Sequence, residues 1–390
     1  MDHKLFAAID ALYLQGIRQH LHQHPELSQQ EYQTQQYICD TLTTLGVQHR
    51  RVADTGVVAT IEAEKPGKRL AFRADIDALP IEEEGGLSYR SVNKGISHAC
   101  GHDAHTAILI GTIKHVRELG LASGKVTFVF QPDEEKDGGA RRVINDGCLD
   151  GVDAIYGLHV MPYLEVGDVE FRYQALNASS DTLSIELEGK ASHAAYPHEG
   201  KDAIVIMAGL IMELQTIVSR SISPLENGVL SFGLINGGTA HNVLAGKVVI
   251  KGTLRTFDRA VRDTVLSMLN SLCKSKEIAY GVKITIDHTP GYPMLINDDG
   301  LLSEFHNLLK TLLPKEKIHL KSLPSLGVED FSYYLEKVPG VFFHLGCRNR
   351  SLGITHPLHS AHFNIDEDCL PWGTYVFIEI IRKHLGLRLP

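Results

Sequence analysis

Three runs in this chain are apolar almost to their last residues and then end in residues that carry chemistry. "RLAFRADIDALP" (69–80) finishes around Asp75 and Asp77, "KVTFVFQPDEE" (125–135) on Glu134 and Glu135, and "GVDAIYGLHV" (151–160) near His159. A strand that is apolar on both faces must be covered on both faces, which places it inside an α/β sheet. Helical periodicity over 2–23, 29–45, 102–120, 297–313 and 366–386 supplies the cover. In such sheets ligands bind in the crevice beyond the carboxyl ends of the strands. The pattern therefore predicts an α/β domain with a central, mostly parallel sheet, and it says where to look for a site.

The texture changes near residue 177. "DTLSIELEGKASHAAYPHEG" (181–200) alternates apolar and polar like a half-exposed strand. A helix over 201–220, strands over 228–235 and 246–256, a helix over 258–277 and a strand over 281–288 follow. That order is a split βαβ, ferredoxin-like α+β layout. After "TPGYP" (289–293) the α/β texture resumes, with a strand at 341–346. The expected organisation is a discontinuous domain, 1–177 and 290–390, carrying an α+β insert at 178–289.

The bulk numbers narrow the function classes. Of 390 residues, 43% are hydrophobic and 22% charged, as in ordinary globular proteins. No run of 18 or more apolar residues stands out, so no membrane span is expected. "MDHKLFAAIDALYLQG" reads as a first helix and not a signal peptide, which predicts a cytoplasmic protein. A net charge of −9 without a long Lys/Arg run argues against nucleic acid or an anionic membrane as partner. The six cysteines form no CxxC pair and read as reduced thiols.

"HACGHDAHT" (98–106) stands apart, with Cys100 and His102 two residues apart before a helix. Locally it fits three readings: a structural zinc knot, a redox cysteine, or one wall of a catalytic metal site. A knot needs four closed ligands at short spacing and a redox pair needs a second cysteine; neither is near. Glu134 and Glu135 can split two jobs, one binding metal and one moving a proton. "THPLHSAHF" brings His356, His359 and His362 together before the last helix. With His159, the candidates total one thiolate, three imidazoles and a carboxylate, with one carboxylate to spare. That mixture suits Zn²⁺, Mn²⁺, Co²⁺ or Ni²⁺ in a two-metal hydrolytic site with positions left open for water.

The sequence also resembles the aminoacylase and carboxypeptidase metallohydrolases, in the branch of hippurate hydrolases, N-acetyl-diaminopimelate deacetylases and auxin-conjugate hydrolases. The resemblance runs over nearly the whole chain through "LHQHPELS" (21–28), "FRADIDALP" (72–80), "HACGHDAHT", "FQPDEE" (130–135), "GLHV" (157–160), "GKASHAA" (189–195), "HNV" (241–243), "GTLRTF" (252–257), "GVEDFS" (327–332) and "PLHSAHF" (357–363). It implies Cys100, His102, Glu135, His159 and His359 as ligands of two divalent ions, with Cys100 bridging, and Glu134 as general base. It implies that the insert is a lid and dimerisation domain, making a homodimer or homotetramer. His193 of the insert would stabilise the oxyanion, in its own or the partner's site, and Asn242 and Arg255 would grip the substrate, Arg255 at its carboxylate. Where many relatives outside this branch have H-x-D, this chain has Asp75-Ile76-Asp77; these two and Asp103 are expected behind the ligands, orienting them. The implied activity is hydrolysis of N-acyl amino acids or small peptides. A carboxypeptidase or dipeptidase on the same scaffold is the alternative, and a catalytically silent metal-binding protein a more distant one.

Overall fold

The computed structural model describes residues 3–388. Its strands, in chain order, are β1 Gln48–Val52, β2 Gly56–Glu62, β3 Arg69–Asp75, β4 Lys125–Gln131, β5 Ala154–Glu165, β6 Val169–Phe171, β7 Ala175–Asn177, β8 Asp181–Glu188, β9 Gly228–Gly237, β10 Lys247–Thr256, β11 Lys283–Pro290, β12 Leu295–Ile296, β13 Ile318–Leu320 and β14 Gly340–Arg348. Its α-helices are α1 His3–Ala7, α2 Ala11–Gln23, α3 Tyr32–Thr44, α4 His102–Leu119, α5 Ala140–Asn145, α6 Ala203–Thr216, α7 Arg259–Tyr280, α8 Asp299–Leu312, α9 Ser332–Leu335 and α10 Cys369–Leu385.

The chain divides into two compact units. The first comprises Met1–Gln174, Ile296–Leu323 and Asp330–Pro390; the second comprises Ala175–Leu295 and Pro324–Glu329. The short second piece belongs there because its backbone is tied to β7: Ser325 N–H donates to Leu176 C=O and Ala178 N–H to Ser325 C=O.

An eight-stranded mixed sheet, in the order β1-β2-β4-β3-β5-β14-β6-β13, forms the first unit. Its middle, β4-β3-β5-β14, is parallel, and the antiparallel pairs lie outside it. The central strands are buried nearly end to end, as continuous apolar runs require. Helices α2, α4 and α10 pack with the sheet into one core containing Phe72, Phe128, Tyr156, Ile108 and Phe377.

The second unit has a four-stranded antiparallel sheet, β11-β8-β10-β9, against α6 and α7. The alternation read in "DTLSIELE" is real: Leu183, Ile185 and Leu187 enter the core, and the residues between them are exposed or half-buried. Both helices open on aspartate caps, Asp202 and Asp258, whose side chains accept from backbone N–H groups of the first turn.

Several boundaries differ from the sequence reading, each for a local reason. The helix expected over 2–23 is two, because Asp10 caps a new start by accepting from Tyr13 N at 3.0 Å. The strand expected over 69–80 stops at Asp75, after which Ile76 N–H bonds to Gln131 C=O. The strand over 125–135 stops at Gln131, where Pro132 removes a donor and Asp133 turns at φ 58°. The strand expected over 181–200 ends at Glu188, and the last helix begins at Cys369 instead of 366. One helical stretch, Ala203–Ser221, is long and apolar enough to cross a membrane, contrary to the expectation of none. One face of it, with Ile206, Met207, Leu210 and Leu214, is core, and its Glu213 pairs with Lys276 of α7 at 2.6 Å.

Candidate metal centre

The first unit's candidates converge where β3 and β4 end and α4 begins, beside the middle of β5, which continues past His159 to Glu165 instead of ending near it. Gly101 makes the close spacing of Cys100 and His102 possible. It sits at φ 85°, and a Cβ there would lie 2.4 Å from Val160 Cγ2. Cys100, His102 and His159 bring their ligand atoms within 4.8 Å of one another, as do Cys100, Glu135 and His359, and also His102, Glu134 and Glu135. Cys100 is common to two of these groups. Cys100 Sγ lies 3.4 Å from His159 Nε2, and Glu135 Oε1 lies 3.4 Å from His359 Nε2 and 3.9 Å from His102 Nε2.

Each inner ring is oriented from behind. His102 Nδ1 donates to Asp77 C=O at 2.9 Å and to Asp77 Oδ1 at 3.1 Å. Asp77 Oδ2 accepts from the Glu135 N–H at 3.0 Å and from Ser28 Oγ at 2.7 Å, so one carboxylate places two candidate ligands. His159 Nδ1 donates to Val160 C=O at 2.8 Å. The Nε2 atoms of both histidines are left facing the centre. His359 is at the exposed mouth with a left-handed φ of 61°, and its N–H bonds to Ala99 C=O.

A ring of buried charge lies beneath. Arg73 donates to Asp75 Oδ2 at 2.6 Å, Asp330 Oδ1 at 2.7 Å and Gln131 Oε1 at 2.9 Å. Asp75 Oδ1 takes a 2.6 Å hydrogen bond from His105. Asp103 faces elsewhere: its carboxylate accepts from Arg18 Nε and His22 Nδ1, both at 2.8 Å, and from Ala104 N, and none of these bonds reaches the five converging side chains. It ties α2 to the first turn of α4. His98 is buried with neither ring nitrogen hydrogen-bonded among the described residues, and burial pulls its pKa down to about 4.

The donor set fits a cation. His102 Nε2 and Glu135 Oε1 are buried without a hydrogen-bond partner among the described residues. Two such atoms aimed at one space cost free energy unless something occupies it. Burial and then the charges of Glu135 and Glu134 push the Cys100 thiol well above its usual pKa. Burial lowers His102, but Asp75, Asp77 and Glu135 outweigh it and carry it up to about 10. Neighbouring carboxylates contribute to both displacements, and divalent ions would offset that negative charge.

In the second unit, the strand-like pairing of His193 with Val243 and the Ala194 N–H to Asn242 C=O bond put His193 and Asn242 side by side, both exposed. His193 Nδ1 accepts from Ala195 N at 3.1 Å, which leaves its Nε2 as the donor. Arg255 lies on β10, and its Nη1 is buried without a partner among the described residues.

The model of peptidase family M20/M25/M40 matches residues 71–383. The chain belongs to this family. Among its relatives, N-acetyl-L-cysteine deacetylase of Bacillus subtilis is 43% identical, over 95% of this chain and 88% of the relative. Thermostable carboxypeptidase 2 of Saccharolobus solfataricus is 36% identical, over 92% of this chain and 91% of the relative. Among solved structures, a dinuclear metal binding peptidase of the M20 family from Bacillus subtilis superposes with a TM-score of 0.83 at 34% identity, covering 97% of this chain and 98% of that one. For this M20 chain the α/β fold and the metallohydrolase class therefore stand as read.

Sequence reasoning missed much of the support. Arg73, a cation in the middle of an apolar strand, was a legible signal that buried acids lay nearby. Arg18 and His22 sit inside the "LHQHPELS" neighbourhood but gave no hint of Asp103, 81 to 85 residues away. All six cysteines are free, in agreement with the reduced reading.

Proposed function

We propose that this chain hydrolyses the N-acyl bond of N-acyl amino acids or small acylated peptides, using two divalent ions held by Cys100, His102, Glu135, His159 and His359. The observation that carries this is the convergence of those five donors around the unpartnered His102 Nε2 and Glu135 Oε1. Five protein ligands for two ions leave coordination open, as a catalytic site requires and a structural one does not. Bound ions would polarise the scissile carbonyl and make a water acidic enough to attack near neutral pH.

The chain's own residues do the rest. Glu134, beside His102 and Glu135, takes the proton of the attacking water and returns it to the leaving amine. Asp77 holds His102 and the Glu135 backbone in place. His193 offers its Nε2–H to the oxyanion, and Arg255 takes the substrate carboxylate, assisted by Asn242. The buried, unpartnered Arg255 Nη1 supports that role, because a guanidinium gains most from a carboxylate when it is already desolvated.

The insert, 178–289, is proposed as the lid and the dimerisation domain. Ile204, Val205 and Met212 of α6 and Leu234 and Ile235 of the edge strand β9 are exposed, an apolar surface that a second copy would cover. The protein would act in the cytoplasm, with Zn²⁺, Mn²⁺, Co²⁺ or Ni²⁺ as the working ion. The carboxypeptidase reading is favoured by the likeness to the Saccharolobus enzyme. A panel of N-acetyl, N-benzoyl and N-succinyl amino acids against dipeptides separates the two. Chelator-sensitive release of the acyl acid at a higher kcat/KM than any dipeptide supports the amidohydrolase; faster dipeptide cleavage replaces it with the peptidase.

A further inference from the structure

Val160 follows His159 on β5, and both of its backbone groups are taken by histidines. Its C=O accepts from His159 Nδ1 at 2.8 Å, and its N–H donates to His105 Nε2 at 2.9 Å. These bonds assign two tautomers from the hydrogen-bond network. A ring nitrogen that accepts an N–H carries no proton, so His105 is protonated on Nδ1 alone, and that N–H donates to Asp75 Oδ1 at 2.6 Å. A ring nitrogen that donates to a carbonyl carries the proton, so the His159 lone pair is on Nε2, the atom 3.4 Å from Cys100 Sγ.

The sheet explains why a side chain is needed here. β3 pairs with β5 only as far as Arg73 and Gly157, and β3 ends two residues later. Beyond that point β5 has lost the neighbour on that edge, and the Val160 N–H would be buried without an acceptor. His105, from the first turn of α4, fills the vacant ladder position. Its ring also packs edge-on against His159, with centroids 4.6 Å apart.

His105 stands close enough to Asp75 and His102 to be counted as a possible ligand. Both of its nitrogens are nevertheless in use, so it has no lone pair to give. We propose instead that His105 is a positioning residue: backed by Asp75, it holds the Val160 peptide and thereby the orientation and tautomer of His159. The proposal rests on the reading of His159 as an ion ligand.

The test measures metal binding and needs no substrate. Wild type and the His105→Ala, His105→Gln and Asp75→Asn variants are loaded with Co²⁺, dialysed against graded chelator, and followed by cobalt content and visible absorption. Wild type should hold two ions per chain. His105→Ala should keep one ion at wild-type affinity, bind the other about 10–100-fold more weakly and show an altered cobalt absorption band. His105→Gln, which returns an acceptor to the Val160 N–H, should recover part of the loss. Asp75→Asn keeps an acceptor for His105 but also removes a charge 3.6 Å from His102 Nε2, so it is read only on the ion that His105→Ala weakens, which it should weaken by less. If the alanine variant does not fold, the glutamine variant decides by the same criterion of one ion weakened and one spared. Wild-type affinity at both ions in a folded His105 variant, or equal loss at both, overturns the proposal. Fewer than two ions on wild type overturns the metal reading itself, whatever the variants do.

Discussion

The two units treat their polar residues in opposite ways. In the first, the candidate ligands and the acids behind them are mostly buried, and the nitrogens of His102 and His159 that do not face the centre are tied to a carbonyl or carboxylate. Of the three substrate-facing candidates in the second, His193 and Asn242 are exposed on loops, and Arg255 offers a buried Nη1 without a partner among the described residues. A site that must hold ions at fixed geometry needs rigid support; groups that meet a substrate can stay adjustable until it arrives. The contrast predicts that removing a candidate ligand or its support in the first unit lowers metal content or stability, whereas removing a substrate-facing side chain in the second lowers turnover alone.

The largest effect should come from Cys100→Ala. Cys100 belongs to two of the ligand groups, so its loss should lower bound metal per subunit and abolish activity. Unchanged stoichiometry by elemental analysis removes the bridging thiolate. Next is Arg73→Ala, which removes the buried cation shared by the buried carboxylates of Asp75 and Asp330 and should destabilise the first unit by about 3–5 kcal/mol. The matching change in the second unit, Arg262→Ala, removes a part-exposed partner of Asp181 that His288 still contacts at 2.7 Å, and should cost about 2 kcal/mol. Equal losses in denaturant melts would erase the difference between the units.

His193→Ala should leave metal content and melting temperature as they are and lower kcat about 10²–10³-fold, the usual effect of one oxyanion donor. A fall in bound metal would place His193 among the ligands instead.

The smallest effect is a pH dependence. Glu31 is fully buried beside the "QPDEE" turn, accepting from Asp133 N at 2.9 Å and from Thr55 Oγ1 at 2.6 Å. Burial, with Asp77 adding to it against these hydrogen bonds, raises its pKa from 4.5 to about 7. A raised carboxyl favours the fold while protonated, so its stabilisation is present below about 4.5 and is lost as pH climbs to about 7. Glu31→Gln should therefore raise the melting temperature more at pH 8 than at pH 5. The same gain at both values contradicts the assignment.

How much of this was legible beforehand differs along the same line. Strand ends and their acids were readable because burial on both faces leaves a continuous apolar run. Glu135 and His159 were readable because each follows such a run, and Cys100 and His102 because they stand where the next helix opens; His359 was singled out among its neighbouring histidines only by the family resemblance. Asp75 and Asp77 were expected behind the ligands, but the partners of the support were not legible: Asp77 reaches Ser28, His105 reaches Val160, and Arg73 reaches Asp330, pairings set by tertiary packing that no local pattern encodes. The joining of Pro324–Glu329 to the second unit was equally hidden, since it depends on backbone bonds to Leu176 and Ala178 formed only after folding.

The central claim is that the five donors form an open two-ion site whose proton is moved by Glu134. Glu134→Gln tests it most directly, with metal content and N-acyl amino acid hydrolysis measured on the same preparation. The account predicts two ions per subunit, as in wild type, with kcat down about 10²–10⁴-fold. Turnover near the wild-type rate with both ions in place would contradict it.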